Sequence, residues 1–231
     1  MRSLKEIKYR HEYKFYINYV DYHVLRSRLR LILKMDSHAG DEGKYLIRSL
    51  YFDDYKNSAL VEKQEGFKYR EKFRIRFYNH DPSFIRLEKK VKNKKLTAKC
   101  NTPLTKEECE KIIHGDIEWL QWSNQDLLHE LYIKMSVGRY QPKTIVDYTR
   151  EAYIYGPGNV RITFDQCVRS GLFSNNLFNK EIPTVEVLEP GCMILEVKFD
   201  EYLPNVITDI IQTGERRVRS VSKYALCRTF G

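Results

Sequence analysis

The stretch EKFRIRFYN, residues 71–79, decides how this chain is read. Arg74 and Arg76 stand two residues apart, with Phe73, Ile75 and Phe77 on the opposite parity. In a helix, residues i and i+2 do not face each other, so the spacing has no helical meaning. In a strand, successive side chains alternate. Both guanidiniums then share one face and the three apolar residues share the other. Alone, this is also the ordinary pattern of an antiparallel strand with one buried and one wet face.

The alternation recurs. HEYKFYI (11–17) sets Glu12, Lys14 and Tyr16 against Tyr13, Phe15 and Ile17. FIRLEKKVK (84–92) sets Glu88, Lys90 and Lys92 against Leu87 and Val91, with Lys89 joining the apolar side. NVRITFDQ (159–166) sets Arg161, Thr163 and Asp165 against Val160, Ile162 and Phe164. MILEVKFD (193–200) sets Glu196, Lys198 and Asp200 against Leu195, Val197 and Phe199. YLIRSLYFDD (45–54) and KTIVDYTREAYIY (143–155) alternate less cleanly, and each carries an arginine, Arg48 or Arg150. Two architectures fit. An open sheet shows its charged face to water. A sheet closed into a barrel turns the charged faces inward and leaves the apolar outside to be covered by helices. Wet strand faces usually mix Thr, Ser, Gln and Lys, because charge is disfavoured in strands. Here the charged positions are dense in Arg and Lys, and like charges on neighbouring strands repel. A sheet that gathers them is organised around an anion.

Helices are expected between the strands. In NYVDYHVLRSRLRLIL (18–33), Val24, Leu25, Leu29 and Ile32 form one stripe and Asp21 serves as cap. TPLTKEECEKIIHG (102–115) has Thr105 as N-cap, Glu108 three residues on and Gly115 at the end. NQDLLHELYIKMSV (124–137), LPNVITDIIQ (203–212) and SVSKYALCRTF (220–230) read as three more. Tyr13, Phe15 and Tyr51 read as packing residues, and Trp119 and Trp122 as anchors of a helix against the sheet.

A chain of 231 residues suits one large β-rich domain or two small ones. No linker or repeat divides it, so one domain over 1–231 is expected. With 40 Lys and Arg against 31 Asp and Glu, the net charge is +9, which favours anionic partners. The five cysteines contain no C-x-x-C pair and read as reduced, mostly buried thiols of a cytoplasmic protein. The histidines show no zinc-ligand spacing. Residues 1–15 are too charged for a signal peptide, and no apolar run approaches the roughly 20 residues of a membrane span.

Cations around an enclosed axis, with one or two carboxylates, suit an inorganic or nucleoside triphosphate and a divalent metal. Arg forks and Lys point charges bind phosphoryl oxygens. A carboxylate without a cationic partner is a ligand for a hard metal ion. Phosphoryl transfer asks the protein chiefly for positioning and charge neutralisation. The chain has no G-x-x-x-x-G-K-[ST] loop and no kinase signature.

The order RHEYKFYI, SLYFDD, FRIRFYN, LEKKVK, DYTREAY, VRITFD, ILEVKF, SVSKYA resembles the VTC domain, the polyphosphate polymerase module of the triphosphate tunnel metalloenzyme superfamily. The first motif is similar to the superfamily's E-x-E-x-K, but stands here as Arg10, Glu12 and Lys14. The resemblance implies an α+β fold: a closed antiparallel eight-stranded β-barrel tunnel with a charged lumen, flanked by helices. It implies transfer of the terminal phosphate of a nucleoside triphosphate such as ATP onto a growing inorganic polyphosphate chain, with Mn²⁺ or Mg²⁺. Lys14, Arg74, Arg76, Lys90 and Arg150 are then catalytic and phosphate-binding. Lys99, Arg161, Lys198 and Lys223 are further phosphate ligands, and Glu196 is a catalytic metal ligand. Glu88 is a second candidate for the metal, while Glu12 reads as ion-paired. Where the family often carries a second lysine three residues before Lys223, this chain has Ser220. Lys92, Lys94 and Lys95 read as a turn or tunnel rim. A separate membrane partner is a further implication. The rival readings are a tripolyphosphatase or nucleoside triphosphatase on the same fold, a polyphosphate-binding module without turnover, and a nucleic-acid binder. Against the last, no aromatic platform interleaves the basic strands.

Overall fold

The computed structural model describes residues 8–230 apart from 41, 213 and 215. The signal-peptide reading therefore falls partly outside the described residues. The strands are β1 (Arg10–Ile17), β2 (Lys34–Met35), β3 (Lys44–Asp53), β4 (Tyr69–Tyr78), β5 (Asp81–Asn93), β6 (Leu96–Leu104), β7 (Gln141–Tyr155), β8 (Val160–Ser170), β9 (Val185–Glu186) and β10 (Met193–Phe199). The helices are α1 (Tyr19–Ile32), α2 (Ser58–Gln64), α3 (Lys106–His114), α4 (Glu118–Gln121), α5 (Asp126–Ser136), α6 (Asn205–Ile210) and α7 (Lys223–Arg228).

Eight antiparallel strands are bonded in a ring, β7–β3–β4–β5–β6–β1–β10–β8 and back to β7. The short β2 and β9 append to β7 and β8. The eight antiparallel strands and flanking helices are as expected, but the ring is uneven and does not form the even closed barrel expected. The β1–β6 junction has two residue pairs, Arg10 with Thr97 and His11 with Leu96, where its neighbours have long ladders. Past that point the Lys14 carbonyl accepts from the Arg219 N–H at 2.7 Å, so the segment before α7 occupies the free edge of β1.

The parity of EKFRIRFYN holds. Phe73, Ile75 and Phe77 point outward and are at most 1 % exposed, under Ile112 of α3 and Leu128 and Leu131 of α5. Each such side chain contributes about 1.5–3 kcal/mol by leaving water. Outward residues of β8 and β10 (Ile162, Phe164, Leu195, Val197) meet Tyr22, Leu25 and Leu29 of α1 and Ile207 of α6. Tyr224 and Cys227 of α7 pack with Tyr51, Val146 and Ile194, so α7 is seated against the ring itself. Lys89 lies outside, as its parity required, and binds Glu71 and Glu130. Arg48 is also turned outward, paired with Asp147 at 2.7 Å.

Several local readings change. The N-cap of α1 is Asn18, and Asp21 completes its capping box as the third helical residue. Val24 and Ile32 are exposed, because Tyr22 takes the inward position and its hydroxyl donates to buried Glu151 at 2.6 Å. Thr105, Glu108 and Gly115 cap α3 as read from the sequence. Trp119 packs on the core, but Trp122 is 81 % exposed and anchors nothing. Cys109 and Cys227 are buried, but Cys100 and Cys192 are half-buried and Cys167 is exposed, so most of the thiols are not in the core. Among the described residues no helix is long and apolar enough to cross a membrane.

Candidate active site

The inward faces enclose a cavity of about 140 Å³ lined by twelve basic and two acidic side chains. That imbalance is the main electrostatic fact of the molecule. Its deeper part is built from ion pairs across strands. On β4, Arg74 donates through Nε and Nη2 to Glu88 of β5 at 2.8 and 2.6 Å, and through Nη1 to the Tyr51 hydroxyl of β3 at 2.6 Å. Arg76 donates to Ser49 and to the Tyr148 hydroxyl, both at 2.9 Å. Tyr51 packs as read, its ring stacked on Tyr224, and its hydroxyl is in addition part of the cavity wall.

On the opposite wall, Arg150 of β7 makes a two-pronged pair with Asp165 of β8 at 2.6 and 2.8 Å and reaches Glu196 of β10 at 3.3 Å. Lys223, at the first turn of α7, also binds Asp165. Between the walls, the Lys14 ammonium bridges Glu12 at 2.8 Å and Glu196 at 3.5 Å. Lys90 binds Glu12 at 2.6 Å, and Lys198 binds Glu196 at 3.2 Å. Glu12 is thus ion-paired, as read.

Burial raises the Glu12 carboxyl, but Lys14 and Lys90 override it and bring it down to about 2. Asp165 likewise comes to about 2, burial being overcome by Arg150 and Lys223. Burial opposes ionisation of Glu196 too, yet Lys198 and Lys14 hold it well below the usual carboxylate range. Buried Tyr148 is lowered despite desolvation, by Arg150 and Arg76. Among the shifted amines, two fall near neutrality. Lys72 is pushed down to about 7 by burial and by Lys90, Lys14, Arg70 and Lys63. Lys90 is pushed down to about 8 by burial, which Glu12 only partly offsets.

Of the residues expected from the sequence, Lys14, Arg74, Arg76, Lys90, Arg150, Glu196, Lys198 and Lys223 line the cavity. Glu88 stands behind Arg74 and also accepts from Lys99 at 2.8 Å. The Lys99 side chain is 48 % exposed and lies outside the cavity lining. Arg161 also lies outside that lining, where it binds Asp36 and donates to the Tyr45 hydroxyl at 2.9 Å. Sequence reasoning missed Arg70 and Lys72 of β4, Lys63 of α2 and Arg219. Arg70 and Lys72 share the parity of Arg74 and Arg76, so the period-2 rule reaches them. Lys63, on a helix, carries no such signal. Lys92, read as turn or rim, lines the cavity, while Lys94 and Lys95 sit in the β5–β6 turn.

Among the described residues no group of three or more His, Cys, Asp or Glu side chains converges. A hard divalent ion held partly by substrate and water needs only one or two carboxylates. Glu12 and Glu196 both reach the Lys14 ammonium, so they are close enough to share one cation. Each already has lysine partners, Lys14 and Lys90 for Glu12 and Lys14 and Lys198 for Glu196, so a hard divalent ion fits here only together with a phosphate that draws those lysines off.

Two solved structures have the same fold. A Bacillus halodurans protein named as a candidate adenylate cyclase is 14% identical, with TM-score 0.50 over 88% of this chain and 86% of its own. The Hippeastrum protein HpAC1, named as a candidate adenylyl cyclase with a dominant triphosphatase activity, is 12% identical, with TM-score 0.56 over 95% of each chain. No curated protein matches by sequence. The family model described as the VTC domain matches residues 9–230, and this chain belongs to that family.

Proposed function

We propose that this chain binds a nucleoside triphosphate such as ATP by its phosphates inside the ring and transfers the terminal phosphoryl group to the end of an inorganic polyphosphate chain. The observation that carries the reading is the cavity wall of twelve basic and two acidic side chains. In the reading, the eight-stranded ring acts as a closed tunnel. Arg74, Arg76 and Arg150 hold nonbridging oxygens, and Lys14, Lys90, Lys198 and Lys223 neutralise charge around them. The bond from the terminal phosphorus to its bridging oxygen breaks, and the nucleoside diphosphate leaves with that oxygen. An oxygen of the acceptor's terminal phosphate forms the new bond. Glu196, with Glu12, would hold Mn²⁺ or Mg²⁺, which when bound neutralises phosphoryl charge. Glu88 has the different part of aligning Arg74.

The choice of acceptor rests on basicity. A water nucleophile profits from a base whose pKa lies near the working pH. Glu12 lies at about 2 and Glu196 is also strongly depressed, and Asp165 behind them lies at about 2, so the carboxylates in and beside the cavity are poor bases. Lys72 and Lys90, at about 7 and 8 without an anion, are the amines nearest neutrality, and a bound phosphate favours their ammonium forms. A phosphate oxyanion needs no deprotonation and attacks as it stands. Arg10, where the superfamily motif has a glutamate, is paired with Asp200 at 2.8 Å and adds no carboxylate. The second reading is a triphosphatase, favoured by the activity named for the Hippeastrum protein of this fold. Incubation with ATP and Mn²⁺ tests the two. Long-chain polyphosphate on a stained gel is expected; stoichiometric free phosphate without polymer would establish the hydrolase instead.

A further inference from the structure

The site inside the ring leaves the outer side of α1 unexplained. The inner side of this helix is accounted for, since Tyr22, Leu25 and Leu29 pack on β8 and β10. A surface helix normally turns charged and polar residues the other way. Here the other way is apolar. Val20 is 70 % exposed, Leu31 85 % and Val24 41 %. At about 100° per residue these three fall within roughly 40° of one another, on the side of the helix away from Leu25 and Leu29. Ile32 adds a fourth exposed apolar residue at the helix end. Single apolar residues scattered on a surface need no account, but an aligned stripe does.

The stripe has basic borders. Arg28 lies on one side, where its Nη1 donates to the Gln212 carbonyl at 3.4 Å. Arg30 lies on the other, where its Nε donates to the Tyr153 hydroxyl at 3.4 Å. Lys34 follows the helix in β2 and is exposed. None of these three has an ion pair among the described residues. The one carboxylate of α1, Asp21, is taken by Arg216 at 2.8 Å. The outer side of the helix is therefore apolar along its middle and cationic at its edges.

We infer that α1 is a docking surface for an anionic phospholipid bilayer, lying flat with Val20, Val24 and Leu31 at the acyl boundary and Arg28, Arg30 and Lys34 among the headgroups. The helix of 14 residues is about 21 Å long and is held lengthwise on the ring by its inner face, so a flat surface meets the stripe along its length. Long basic side chains suit such a border, because their stems lie on apolar surface while their heads reach charge. A second copy of this chain is the poorer occupant, since two such stripes face to face put like charge on both sides of the contact. The inference stands apart from the chemistry within the ring, because none of these residues lines the cavity.

The test is co-sedimentation of the whole chain with phosphatidylcholine vesicles, made with and without phosphatidylserine. Tripolyphosphate is present throughout, to occupy the cations of the cavity. Wild-type protein is expected to partition at least about tenfold more strongly onto the vesicles with phosphatidylserine, each nearby Lys or Arg contributing a factor of about five. Val20→Ser with Leu31→Ser removes the apolar contact and keeps the charge. Arg28→Gln with Lys34→Gln removes charge and keeps the stripe. All four side chains are exposed, and each pair is expected to weaken partitioning at least about tenfold. Lys106→Ala with Lys111→Ala, on exposed positions of α3, also removes two positive charges and is expected to change it by less than about twofold. Wild-type protein that does not prefer the phosphatidylserine vesicles overturns the inference, as do α1 pairs that lose no more than the α3 pair. A doubled mass by light scattering that Val20→Ser with Leu31→Ser returns to that of one chain would make the stripe a contact between copies and overturn it too.

Discussion

Arg74 shows how a single side chain carries both order and function. Its fork is fixed by Glu88 and its third edge by the Tyr51 hydroxyl. Replacing it with alanine leaves Glu88 bound to Lys99 and the outward face of β4 untouched. Arg74→Ala is therefore expected to keep the fold by circular dichroism. Its tripolyphosphate affinity falls by roughly ten- to a hundredfold, the worth of hydrogen bonds to a charged group. Arg74→Lys recovers part of that, since the fork geometry is gone. Unfolding of Arg74→Ala under native conditions would contradict an inward-facing role. Lys72 gives a prediction of a different kind, because its pKa of about 7 lies below the ordinary lysine value. Above about pH 7 the unfolded chain keeps this proton while the folded protein loses it, so the unfolded state binds more protons and stability rises with pH. Lys90, at about 8, adds the same sign somewhat higher. Urea unfolding between about pH 7 and 9 is expected to show that rise without anion and a flatter profile with tripolyphosphate, which keeps both amines protonated. Stability that falls over this window without anion would show that Lys72 stays charged among Lys90, Lys14, Arg70 and Lys63.

At the scale of elements, two helix ends divide labour between stability and site. Thr105 and Glu108 cap α3 far from the cavity, so Thr105→Ala is expected to cost about 1 kcal/mol and leave anion affinity alone. Asp53 is fully buried at the end of β3. It accepts from the backbone N–H groups of Ala59 and Leu60 at the start of α2 and from the Tyr224 hydroxyl of α7 at 2.6 Å. One carboxylate thus docks both helices that bring lysines to the cavity, Lys63 and Lys223. Asp53→Ala orphans these donors at about 1–3 kcal/mol for each buried group. It is expected to lower both the urea midpoint and the tripolyphosphate affinity, whereas Thr105→Ala lowers only the midpoint. Elements of this kind differ in how far the sequence reveals them. The strands were legible because period-2 alternation survives wherever one face is apolar, and the α3 box because its spacing is local. Convergence was not, because parity says which side chains share a face and not which long-range carboxylate takes them. Arg161 and Lys99 have the right parity, yet Asp36 and Glu88 hold them away from the cavity lining. Tyr51 reads as packing and does stack on Tyr224, but an aromatic on a strand carries no sign that its hydroxyl will also meet Arg74.

For the whole molecule, the apolar and charged halves pull in opposite directions. Two helical layers bury the outside of the ring, α7 packs on the inward residues Tyr51, Val146 and Ile194, and the rest of the inside gathers cations that repel. The weakest junction, β1–β6, lies beside the segment that binds the Lys14 carbonyl and leads to Lys223. An anion in the cavity acts on all of this at once. It offsets the repulsion among Lys63, Arg70, Lys72 and Lys92 and gives Lys14 and Lys223 a common ligand across the seam. A ligand that binds only the native state at a hundred times its Kd adds about 2.7 kcal/mol. In a domain of this size each kcal/mol raises Tm by about 2–4 °C, so a shift of roughly 5–11 °C is expected with tripolyphosphate. The seam gives that shift a local signature. Backbone amides of Thr97 and of 219–222 are expected to exchange quickly without anion and to gain protection with it, more than those of the long β3–β7 ladder. Hydrogen exchange read residue by residue separates this from general stiffening. Protection that rises equally in β3–β7 and at the seam, or a Tm shift matched by sodium chloride of equal ionic strength, would mean that the anion screens the surface and does not enter the ring.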